Sequence, residues 1–134
     1  TGLLLGTREM GAPKAPCEDW NVFETEGVFP NLEALTYVMR AITPPRRPKR
    51  FDTRFFTADA EAVCGEIPGL VGPDSELIEL RWLTFKETDA LELPPITRVV
   101  LEEVQARIDA GFGPHLPVPF YQMIRGRFER NLLA

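Results

Sequence analysis

The chain has 134 residues, 44% of them hydrophobic and 26% charged, a balance that supports one buried core and excludes a disordered polymer. A formal net charge of −5 runs against general nucleic-acid binding, and no apolar run reaches the length of a membrane-spanning helix. Cys17, Cys64 and the one histidine, His115, lack metal-ligand spacing, so zinc is not expected, and a reducing, cytoplasmic setting is.

Thr1 to Gly6 reads TGLLLG, without the positive n-region of a signal peptide. Gly2 suits the end of a helix whose body lies upstream, with Leu3 to Leu5 entering a core, so the chain is expected to be the later part of a longer one. Thr7 to Glu18, with Gly11, Pro13 and Pro16, reads as a loop. Asp19 is placed to cap a short helix carrying Trp20 and Phe23, which Gly27 ends. Leu32, Leu35, Val38 and Met39 recur at intervals of three and four, yet Leu35 to Ile42 also suits a strand, and periodicity leaves both readings open.

The stretch from Arg40 to Phe56, RAITPPRRPKRFDTRFF, joins the densest positive charge to the clearest strand. Pro44, Pro45 and Pro48 rule out a helix, so Arg46, Arg47, Lys49 and Arg50 are expected on a stiff extended loop. Beyond it, Phe51, Thr53 and Phe55 share one strand face while Asp52, Arg54 and Phe56 share the other. Neither face is wholly polar, which predicts an interior strand covered on both sides. Asp52 and Arg54 are expected as a structural ion pair, or else Arg50, Arg54 and the preceding cations line a pocket for an anion such as phosphate.

Cys64 to Ser75 holds Gly65, Pro68, Gly69, Gly72 and Pro73 and predicts a long irregular loop. ELIELRWLTF, from Glu76, alternates imperfectly and predicts a second strand paired with Arg50 to Thr57. Thr88 is expected to cap a segment over Asp89 to Leu93. Thr97 to Ile108 is the best helix: Val100, Val104 and Ile108 lie four apart, with Glu102, Glu103 and Arg107 on the wet side and Gly111 as its stop. In the element over Phe120 to Leu133, Met123, Ile124 and Phe128 are expected to dock while Arg125, Arg127 and Arg130 stay solvated. His115 stands in a loop rich in breakers without a Ser or Cys nucleophile in recognisable context.

These residues resemble the Nudix hydrolases. TGLLLG is similar to the tail of the Nudix signature, which runs Gly, five residues, Glu, seven residues, then Arg-Glu-apolar-x-Glu-Glu-x-Gly-apolar, with Gly2 and Leu3 as its last two positions. RAITPPRRPKRFDTRFF resembles a segment of larger bacterial Nudix enzymes. ELIELRWLTFKETDAL is similar to the strand, Trp-Leu pair and short helix that follow their box. The resemblance implies an α/β fold, an α/β/α sandwich with a mixed sheet, over a single domain at 1–134 that is incomplete at its amino terminus. It implies Mg²⁺- or Mn²⁺-dependent cleavage of a nucleoside diphosphate linked to another group. The metal-holding glutamates of the box would precede Thr1, so this stretch alone is expected to be inactive. Arg46, Arg47, Lys49, Arg50 and Arg54 are the expected substrate-binding residues and Glu76 the expected accessory carboxylate or base. The expected partner is a small diphosphate compound, with no nucleic acid or membrane. Two other readings stand beside this one: a nucleotide or phosphometabolite sensor that keeps the cleft without the chemistry, and a homodimerising piece using Trp20, Phe23 and the carboxyl-terminal element.

Overall fold

The computed structural model describes residues 1–8, 11, 13–113 and 115–133. Glu9, Met10 and Ala12 of the expected Thr7–Glu18 loop, and Pro114 beside His115, lie outside the described residues. The chain forms two compact units, Thr1–Leu35 with Ala58–Trp82, and Thr36–Thr57 with Leu83–Ala134. Each is a mixture of strand and helix, so the chain is of the α/β class.

In the first unit, β1 (Leu3–Thr7) lies between β2 (Phe29–Pro30) and β5 (Val63–Glu66), antiparallel to both. Leu4 is buried, and Gly6 stands where a Cβ would lie 2.6 Å from Val28 Cγ1 and collide with the Phe29 carbonyl, so only glycine lets β2 approach. The first helix, α1 (Asn21–Glu26), follows a 3₁₀ turn at Glu18–Trp20. Gly27 stops it with a φ of 65°, and its N–H bonds back to the Glu24 carbonyl. Among the described residues no side chain caps this helix, so Asp19 does not take the capping role expected of it. The breaker-rich loop expected from Cys64 begins instead with β5, because Val63 to Glu66 is drawn onto the free edge of β1.

The second unit is a four-stranded sheet in the order β4 (Asp52–Thr57), β3 (Thr36–Ile42), β6 (Val118–Ile124), β7 (Arg127–Leu133). All pairs are antiparallel except β3 with β6. The open choice for Leu35–Ile42 resolves as strand. Asn31 accepts hydrogen bonds from the N–H groups of Glu33 and Ala34, closing a 3₁₀ turn at Leu32–Ala34, after which the chain extends. A bulge between Tyr37 and Met39 lets both Val38 and Met39 be buried. Val38, Met39 and Ala41 form the core with Phe55, Tyr121 and one side of α3 (Pro95–Asp109), where Ile96, Val99, Val100 and Val104 stand.

Several expectations are corrected. β4 is an edge strand, not an interior one, since among the described residues no strand pairs with its free edge, and it is not covered on both sides, since Asp52, Arg54 and Phe56 on one face are exposed. Glu76 to Thr84 forms no strand and does not pair with β4, although its alternation suits one; Leu77, Ile78 and Trp82 are exposed. Thr84, not Thr88, caps α2 (Phe85–Thr88), through reciprocal bonds with Glu87, and 89–93 is not helical. α3 begins two residues earlier than expected because Pro95 suits the first helical position. On it Ile108 is 47% exposed, whereas Arg107, expected on the wet side, is 6% exposed. The carboxyl-terminal element is the β6–β7 hairpin, turned at Arg125 and Gly126 with φ of 48° and 80°, the signature of a type I′ turn. Among the described residues no helix is long and apolar enough to cross a membrane.

Candidate functional site

The cationic loop leaves β3 after Ile42 and returns as β4. Thr43 closes its base three ways: its N–H donates to the Phe51 carbonyl at 2.9 Å, its hydroxyl accepts from the Phe51 N–H at 3.0 Å, and its carbonyl accepts from Arg50 Nε at 3.1 Å. Pro45 then presets the turn and Arg46 takes a φ of 71°, the left-handed position that type II turns reserve for glycine or asparagine. Arg46, Arg47, Lys49 and Arg50 are all exposed, and among the described residues no carboxylate pairs with any of them. Four positive charges on a short, proline-stiffened span without a counter-charge attract an anion that neutralises several of them at once.

Beside this loop lies a cavity of about 550 Å³. Its floor is the sheet, through Ala41, Thr53 and Phe55; its wall is the first turns of α3, through Pro95, Ile96 and Val99. Ile42, Phe51 and Phe128 complete the apolar lining, and Thr43, Pro44 and Arg47 bring the loop to it. The alternation of β4 explains the division: Thr53 and Phe55 face α3, while Asp52 and Arg54 are exposed on the other face. Phe51 is 62% exposed and Phe128 49%, so two aromatic rings stand largely in water against an apolar hollow. Arg47 is the one charged residue of the lining among the described residues.

The expected substrate-binding residues therefore divide. Arg47 reaches the cavity, Arg46, Lys49 and Arg50 share its loop, and Arg54 lies on the reverse face of the sheet. Asp52 pairs with Arg40 and not Arg54: Arg40 Nε and Nη2 donate to its two carboxylate oxygens at 2.8 and 2.6 Å, a bidentate fork. That fork lowers the Asp52 pKa and raises that of Arg40. The Arg40 guanidinium also stands 4.9 Å from the Phe120 ring centroid.

Glu76 belongs to the first unit and is exposed. His115 is exposed as well. Trp20 and Phe23 are half-buried with ring centroids 5.5 Å apart, so each covers part of the other. The described residues do not fit a divalent-cation site, because no three His, Cys, Asp or Glu side chains among them are grouped to hold an ion.

Sequence reasoning missed the role of Thr43, whose neighbour Pro44 hides its three bonds, and of Phe128, which reaches the cavity only because the hairpin returns it to the sheet. It also put Glu103 on the wet side and left Arg130 solvated, whereas the two are paired across the middle of α3 and β7. Glu103 accepts from the Tyr121 hydroxyl at 2.6 Å and from Arg130 Nε and Nη2 at 2.7 and 3.1 Å. Burial pushes the Glu103 pKa up, but the bonds from Arg130 and Tyr121 outweigh it and hold the carboxyl below its ordinary value. Burial first and Glu103 second raise the Tyr121 pKa. Comparison with family models, curated proteins and solved structures gave no match for the chain.

Proposed function

We propose that the cavity and its cationic loop form the substrate grip of a Nudix-type pyrophosphohydrolase, acting on a nucleoside diphosphate linked to another group. The observation that carries the reading is the set of cations Arg46, Arg47, Lys49 and Arg50, without a carboxylate partner among the described residues, at the side of an apolar cavity that Arg47 enters. The diphosphate lies along the loop, where multidentate donors suit its oxygens. The linked group enters the cavity, whose size falls within the range of small-molecule sites, roughly 300–1,000 Å³. The reaction is attack of water on phosphorus with rupture of the P–O–P bridge. In this reading the fold is part of the α/β/α sandwich of that family. In that family's pattern the glutamates of the signature helix would hold Mg²⁺ or Mn²⁺, which would supply Lewis-acid help.

A second reading, a sensor that binds the same ligands without cleaving them, is favoured by an apolar cavity beside a cationic loop in a chain whose described residues group no metal ligands. The test compares this chain with a version extended upstream through the box, using nucleotide sugars, coenzyme A and dinucleotides with Mg²⁺. The hydrolase reading expects binding by both and cleavage by the extended chain, with loss of binding in the double variant Arg47→Glu, Lys49→Glu. Binding without cleavage across the panel establishes the sensor. No binding by either chain removes both readings.

A further inference from the structure

We infer that the group seated in the cavity is a hydrocarbon, so that the preferred ligand is a diphosphate ester carrying an alkyl or acyl chain. The inference rests on the substrate grip proposed above and names what fills it. A purine or pyrimidine presents several donors and acceptors on its edge, and burying them without partners weakens binding steeply. The cavity has little to offer them. Its side chains are apolar apart from Thr43, Thr53 and Arg47. Thr43 is already engaged through its N–H, hydroxyl and carbonyl with Phe51 and Arg50. Ala41 and Thr53 stand opposite each other in the β3–β4 ladder, the next bonded pair on from Thr43 and Phe51, so the ladder takes up their N–H and carbonyl groups. What remains is contact surface: Phe55, Ile96 and Val99 within, and the half-exposed Phe128 and Phe51 at the margin. A hydrocarbon covers those two rings and takes them out of water, and each buried methylene strengthens binding about fourfold. The single cation, Arg47, sets the polarity of the ligand, with its anionic end at the loop and its apolar end against α3.

The probes are n-alkyl diphosphates from butyl to decyl, n-decanol and ADP, titrated calorimetrically into the full chain. Decyl diphosphate is expected to bind at least about thirtyfold more tightly than ADP, with affinity climbing along the series toward the roughly fourfold-per-methylene limit. Phe128→Ser, at a position 49% exposed, is expected to weaken decyl diphosphate about tenfold and spare ADP, whereas Arg47→Glu weakens both. ADP binding as tightly as decyl diphosphate overturns the hydrocarbon assignment and leaves the anion grip standing. Decanol binding as tightly as decyl diphosphate, or indifference to Phe128→Ser, also overturns it. Absence of binding by every diphosphate removes the grip itself.

Discussion

Glu103→Gln perturbs the tie between α3 and the β6–β7 hairpin while preserving its shape. The Glu103 side chain is 13% exposed and its carboxylate receives Tyr121 at 2.6 Å and Arg130 at 2.7 Å. Glutamine still accepts from Tyr121, so what disappears is charge. A bond to a charged group contributes about 1.5–3 kcal/mol against about 0.5–1.5 for a neutral one, a loss of about 1 kcal/mol at Tyr121. Arg130 is 48% exposed, so solvent screening reduces its share to about 0.5 kcal/mol. The variant should therefore unfold with about 1.5 kcal/mol less stability at pH 7. A carboxyl whose folded pKa lies below its unfolded value of about 4.3 stabilises fully above that value and ceases to do so as pH falls through the folded pKa. The difference between wild type and variant should accordingly be complete at pH 7 and close toward pH 3. Urea unfolding of both proteins across that range measures it, with Arg130→Met completing a double-mutant cycle. A difference that is the same at both ends of the range, or zero coupling between the two positions, refutes the reasoning.

Gly6→Ala should destabilise by about 2–3 kcal/mol, because the Cβ meets the Phe29 backbone rather than a side chain able to turn away, and thermal unfolding followed by circular dichroism reads the loss. Arg46→Gly should do the opposite: the left-handed position costs a side chain about 1–2 kcal/mol and glycine gives back about 0.5–1 as chain entropy. The urea midpoint should therefore rise, and a fall would show that the Arg46 side chain itself stabilises the loop. Arg107→Met removes the donor that reaches the Pro117 carbonyl at 2.7 Å and should cost about 2 kcal/mol, seen as faster amide exchange around 116–118.

What could be read from the residues, and what could not, follows the reach of the forces involved. α3 was legible because Val100 and Val104 sit one turn apart and Gly111 ends the run with a φ of 84°. Gly27 was legible for the same reason, as a local stop whose geometry belongs to glycine. The two faces of β4 followed from alternation, but its place at the edge did not, since that depends on which strand arrives beside it. Arg107 lies three residues after Val104 and so on the buried stripe; its charge misdirected the expectation, because its partners are the carbonyls of Leu116 and Pro117 in a later loop. The segment Glu76 to Thr84 has the right alternation and still forms no strand, since a strand exists only as half of a ladder. At the site, proline stiffness and charge density disclosed the loop cations. The cavity they border is assembled from β3, β4, α3 and β7, and no local pattern records that meeting.

The backbone passes between the two units three times, after Leu35, after Thr57 and after Trp82. Each unit is thus sewn from two separated lengths of chain, and trimming from either end cuts into one of them without releasing the other whole. An isolated second unit, the one that holds the cavity, would need Thr57 spliced to Leu83 by a designed linker. Until that splice is made, ligand titrations belong with the uncut polypeptide.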